Sequence, residues 1–89
     1  MIHLDKYIEQ AELEIYPMTI VCDRYTGAYS GGVFTAWNLD FFDVPKEIEG
    51  DDSECDNFWF TYTGLVGKGR TPDEALEDLC KEMYKLKNK

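Results

Sequence analysis

Carboxylates recur at alternate positions in DDSECD, where Asp52, Glu54 and Asp56 have the look of a calcium loop. Such a loop needs a glycine for its sharp turn and a distal glutamate that closes on the ion. Neither stands at the required offset, so no metal is expected. Arg24 and Tyr25 open the stretch RYTGAYSGG (24–32) and could grip an anion or stack on a base. Against that, Gly27, Gly31 and Gly32 are ordinary turn residues, and Asp23 can bond the loop's own backbone. The mix of Tyr25, Tyr29, serine and glycine also suits an interface, because it combines rigid contact area with adaptable hydrogen bonding. We read the stretch as a turn first and a contact surface second. Lys68 and Arg70 in GKGRTP stand before a helix start, where phosphate can bind. The P-loop spacing is missing, and a tight strand-to-helix turn is the expectation.

Catalytic groups are scarce. His3 is the one histidine, so a serine or cysteine nucleophile would lack a base. The three cysteines, Cys22, Cys55 and Cys80, form no CxxC pair. An odd count without export does not describe a disulfide framework, and a zinc site would need four ligands at short spacing. Buried or idle thiols are expected. Carboxylates abound, but none lies in a stretch apolar enough to shift its pKa. The expectation is a non-enzyme with no catalytic residue and no cofactor.

Charge is the strongest global fact. The 89 residues carry a net charge of −9. That opposes direct nucleic-acid binding, which needs Lys and Arg on phosphates, and it opposes docking on anionic lipid. It favours a basic protein partner. The surplus is concentrated in DFFDVPKEIEGDDSECD (40–56). There Asp40, Asp43, Glu47, Glu49, Asp51, Asp52, Glu54 and Asp56 face one base, Lys46, a net of −7. At 17 residues this connection exceeds the usual loop, and such loops are often functional. The segment reads either as a solvated acidic loop with no partner or as a surface that meets a basic groove, its clustered carboxylates imitating a phosphate backbone. Phe41, Phe42, Val44 and Ile48 would then anchor a partner, or else tuck inward as a small satellite core.

The elements that must position these residues are few. The length suits one domain, residues 1–89. The start, MIHLDKYIEQ, has neither a basic n-region nor an apolar h-region, and no run of about 18 apolar residues follows. A cytoplasmic protein is expected, in the bacterial host's cytoplasm if it is phage-encoded. Leu4, Tyr7, Ile8 and Ala11 have helical spacing with Asp5 able to cap, whereas ELEIY alternates like a strand. Pro17 then interrupts. MTIVC (18–22) reads as a strand. VFTAWNL (33–39) reads as another, with Val33, Thr35 and Trp37 on one face and Phe34, Ala36 and Asn38 on the other. NFWFTYTGLVG (57–67) reads as a third, with aromatics on both faces. The last element is a helix over 72–86. Thr71 caps it, Pro72 takes the first position and Glu74 completes a capping box. Leu76, Leu79, Cys80, Met83 and Leu86 form its apolar stripe, with Ala75 at the edge. Glu77–Lys81 and Glu82–Lys85 lie on its wet face. The order β-β-β-α predicts an α+β fold: a three-stranded antiparallel sheet, four-stranded if the N-terminal piece joins, with the C-terminal helix on one face. An exposed edge strand would permit a homodimer.

The pattern SGGVFTAWNLD … TYTGLVGKGRTPDEALEDLCKEM resembles the N-terminal fold of HicB antitoxins. In that family a Gly-Gly pair leads into the second strand, and a third strand runs into a G-x-T-x-x-E-A-L helix start. Gly31 and Gly32, then Gly69, Thr71, Glu74, Ala75 and Leu76, match over roughly residues 18–86. The resemblance implies a sheet-and-helix domain that neutralises a small basic ribonuclease toxin. The acidic segment replaces the family's short Pro-containing link. No counterpart of the family's DNA-binding segment follows Lys89, which implies neutralisation without autoregulation. Size and acidity also look like small phage-encoded inhibitors of bacterial defence, anti-CRISPR proteins among them.

Three functions follow as expectations. The first is an acidic inhibitor that presents 40–56 and Arg24, Tyr25 and Tyr29 to a basic nucleic-acid-handling protein. The second is a HicB-like antitoxin. The third is a nucleotide sponge using Arg24, Tyr25 and Trp37.

Overall fold

The computed structural model describes residues 16–87. The expected N-terminal helix or strand over residues 4–15, and with it the fourth strand, lies outside the described residues. Strands β1 (Thr19–Cys22), β2 (Phe34–Trp37) and β3 (Gly67–Gly69) form an antiparallel sheet in the order β1-β2-β3. Ile20 faces Ala36 across the first pair, and Ala36 faces Gly67 across the second. The β-β-β-α order stands, with two short 3-10 turns (Phe41–Asp43 and Lys46–Glu49) and a helix inserted between β2 and β3. The helices are α1 (Asp52–Thr61) and α2 (Pro72–Lys87).

The two faces of β2 carry two different cores, as its alternation requires. On one face Ala36 meets Ala75 and Leu79 of α2, with Met18, Ile20, Phe34, Leu76 and Met83 packed around them. On the other, Trp37 is fully enclosed with Val44 and Ile48, and Val21, Phe58, Trp59 and Tyr62 close around it. Val44 and Ile48 of the acidic segment therefore tuck inward. Phe41 and Phe42 do not: they are 67% and 85% exposed.

The third strand is displaced from its expected position. Residues 57–61, read as strand, belong to α1, and the true β3 is only GKG. The Asp51 carboxylate caps α1 by accepting the Glu54 N–H at 2.9 Å. Acidic residues in the first turn suit the positive end of the helix dipole. Cys55, Phe58, Trp59 and the capping Tyr62 repeat at i, i+3, i+4, i+7; the three rings turn to Trp37, and Cys55 is buried beside the Ile48 carbonyl. Phe60, the ring that strand alternation would have grouped with Phe58 and Tyr62, is 88% exposed.

Helix α2 matches its expected range and cap: the Glu74 N–H donates to Thr71 Oγ1 at 3.1 Å. The pairs Lys81–Glu77 (3.6 Å) and Lys85–Glu82 (3.7 Å) form on its wet face. Leu86 is a correction to the expected stripe, since it is largely exposed. Two carboxylates of α2 reach the open side of β3. The Lys68 N–H donates to Asp78 at 2.9 Å, and the Arg70 N–H donates to Glu74 at 3.0 Å. The N–H groups that would recruit another strand on that side are thus occupied.

Candidate functional site

The loop between β1 and β2 is ordered by its own first residue. Asp23 is buried, and its carboxylate accepts the N–H groups of Tyr25 (3.1 Å) and Gly27 (2.7 Å). The backbone then turns through positive φ at Thr26, Gly27 and Gly31. A side chain at Gly27 would also press on the Gly32 backbone, so glycine is needed there for both conformation and space. Ser30, likewise buried, links back to Gly32.

This loop does not stand alone. Arg24 donates to the carbonyls of Glu49 (2.7 Å) and Gly50 (3.1 Å), and its guanidinium lies 5.3 Å from the Tyr25 ring centre. The Tyr25 hydroxyl donates to the Gly50 carbonyl at 2.8 Å. Tyr29 meets Tyr25 edge to face at 5.3 Å. The two stretches singled out as partner-binding are therefore joined at the turn that precedes α1.

Charge follows the same geometry. Asp40, Asp43, Glu47, Glu49, Asp51, Asp52, Glu54 and Asp56 are all exposed. Asp52 lies beside both phenols, and Asp56 beside Tyr29. Burial raises the Tyr25 pKa, Arg24 opposes that rise and Asp52 reinforces it. Burial, then Asp52 and Asp56, raise that of Tyr29. Both phenols stay neutral at ordinary pH and act as hydrogen-bonding, aromatic contacts.

The structure separates these residues into two adjoining patches. Tyr25, Tyr29, Asp52 and Asp56 gather where the loop meets α1. Asp40, Asp43 and Glu47 flank the exposed Phe41 and Phe42 on the 3-10 turns. Glu49 stands at the junction.

Two candidate constellations do not assemble. Asp52, Glu54 and Asp56 sit on a helix, where a spacing of two sends side chains to different sides, so they do not converge on an ion. No group of three metal-ligating side chains occurs among the described residues. Trp37 is fully buried, its indole N–H donating to Thr35 Oγ1 at 2.9 Å, and it cannot stack on a ligand. Arg24 is engaged by two carbonyls. Trp37 therefore cannot share a nucleotide site with Arg24 and Tyr25.

The cysteines divide by burial. Cys22 is exposed, whereas Cys55 and Cys80 are buried. Burial pushes both buried thiols above the ordinary value, with Asp23 adding to the effect at Cys55 and Glu77 at Cys80. The thiolate is the reactive form, so one fast thiol is expected under native conditions, at Cys22. A maleimide time course on Cys22→Ser should show the fast phase gone. A fast phase that persists would contradict this assignment.

Helix α1 is what the sequence reading missed at this site. The Asp51-x-x-Glu54 pair, followed by the Cys55, Phe58, Trp59, Tyr62 periodicity, was the available signal. No helix among the described residues is long and apolar enough to cross a membrane. No protein-family model, curated protein or solved structure matches the chain.

Proposed function

We propose that this chain is a non-enzymatic inhibitor that binds a basic, nucleic-acid-handling protein in the cytoplasm and competes there with nucleic acid. One observation carries the reading. The fold pins the tyrosine loop onto the acidic segment through Arg24 and Tyr25, so two adjoining patches of exposed carboxylates, one of them with two phenols, are held together at Glu49 and Gly50. A disordered acidic loop would lose entropy on binding; this one is already organised. Small phage-encoded anti-defence proteins of the anti-CRISPR kind would use such a surface. A HicB-like antitoxin would meet a basic ribonuclease with the same charges. Of the residues shared with that family, Thr71 and Glu74 cap a helix while Ala75 and Leu76 pack in the core, roles compatible with any partner.

The test is capture from a bacterial lysate at low and high salt, followed by nucleic-acid binding assays on the captured proteins. Basic nucleic-acid-binding proteins should dominate at low salt and release as salt rises. Added chain should displace their nucleic acid. The variant D40N/D43N/E47Q/E49Q/D52N keeps the Asp51 cap of α1, so it should fold. Its association should slow by about tenfold or more at low salt, because charge chiefly steers encounter. Undiminished inhibition by this variant would sink the proposal.

A further inference from the structure

The 3-10 turns hold a feature that clustered charge does not explain. Phe41 and Phe42 stand largely exposed and meet edge to face at 5.4 Å. They border a groove of about 260 Å³, whose other apolar walls are Val21, Val44, Pro45 and Ile48. Val44 and Ile48 are buried in the Trp37 core, so the groove is preformed by the fold. Aromatic rings at the centre of a polar rim are the composition of an interface core. Glu49 and Lys46 line the groove's polar side, and the segment that carries the two rings also exposes Asp40, Asp43 and Glu47, so the surroundings favour a cationic occupant.

The backbone narrows the choice further. Within these turns the Asp43 N–H donates to Asp40 O, Ile48 N–H to Pro45 O and Gly50 N–H to Glu47 O. The turns that carry the two rings therefore present side chains rather than a row of free N–H groups. An extended peptide would gain no ladder of hydrogen bonds there, whereas a helix brings its own backbone already satisfied.

We infer that the Phe41–Phe42 groove receives a cationic amphipathic helix of the partner. Its apolar side chains pack between the two rings and the Val44–Ile48 floor, and its Lys or Arg flanks meet the four carboxylates. This inference rests on the proposed basic partner and names the element it presents.

The probe is a designed leucine–lysine peptide of about 18 residues, long enough to hold a helix. A scrambled peptide of the same composition is its control. The helical peptide should bind about tenfold tighter than the scrambled one. F41A/F42A should erase that preference while leaving the weak, salt-sensitive binding of both peptides. F60A removes an equally exposed ring outside the groove and should change nothing. Equal binding of the two peptides overturns the inference, as does a preference that survives F41A/F42A. Sedimentation in which F41A/F42A turns a dimer into a monomer also overturns it, by assigning the groove to a second copy. The outcomes separate from those of the broader proposal. The charge-neutral variant failing to lose affinity for the captured protein removes the basic partner. Loss of the helical preference alone in F41A/F42A confirms the groove.

Discussion

Trp37→Ala should lower unfolding stability by about 3–5 kcal/mol, the range for deleting a large buried ring. Trp37 is fully enclosed, and its ring centre lies 6.4 Å from Phe58, 5.7 Å from Trp59 and 5.5 Å from Tyr62. Truncation leaves a cavity on one whole face of the sheet and strips the Thr35 hydroxyl of its indole donor. A domain of this size has roughly 5–15 kcal/mol to lose, and small domains sit near the lower bound. Much of the Trp37→Ala population should therefore be unfolded near 37 °C. Urea titration followed by circular dichroism measures the loss. Helix α1 depends on this ring for its packing, so the proposed partner-binding surface should fail together with the fold. A loss under about 1 kcal/mol would mean that the aromatic cluster is not the second core.

Gly67→Ala should cost about 3 kcal/mol, at the upper end for overpacking. A Cβ at Gly67 would fall on the Ala75 carbonyl oxygen and the Leu79 backbone N, and 2.7 Å from Leu79 Cα. These are backbone atoms of a helix and cannot swing aside, so α2 must lift off the sheet. Gly69→Ala should behave alike, since its Cβ would meet the Ala75 N and the Glu74 carbonyl carbon. Gly50→Ala provides the contrast. Its nearest neighbours are side-chain atoms of exposed Glu54, which can move, so its effect should stay within about 0.5 kcal/mol. Equal midpoints for Gly67→Ala and Gly50→Ala would contradict the close approach of α2 to β3.

Those glycines also show where reading the sequence reaches its limit. Helix α2 was legible because its signals are local: a capping box, a leading proline and an apolar stripe within sixteen residues. Strands β1 and β2 were legible for the same reason, and so was the division of Thr35 and Trp37 from Phe34 and Ala36. The third strand was not. GKG has no strand propensity to detect; it is a strand because α2 needs a surface without side chains to lie on. Nearby, the alternating rings of NFWFTY outweighed a weaker pair of helix signals. Aromatic β-propensity reflects packing on a half-buried surface, and a helix face against Trp37 supplies such packing equally well. The candidate site divides in the same manner. Its carboxylates stood out as a run of charge, and the tyrosine loop as an unusual composition. Their meeting did not, because Arg24 and Glu49 lie 25 positions apart and touch through a guanidinium and a carbonyl.

Consider finally what the Asp78 and Glu74 contacts on β3 mean for growth of any assembly. Fibrils need a monomer that is adhesive on both flanks, and on one flank of this sheet the Lys68 and Arg70 N–H donors are already engaged by its own helix. Copies that joined through β1 would place two passivated ends outward. Such a reaction would terminate itself at a pair, with no continuing register along which a third molecule could extend it.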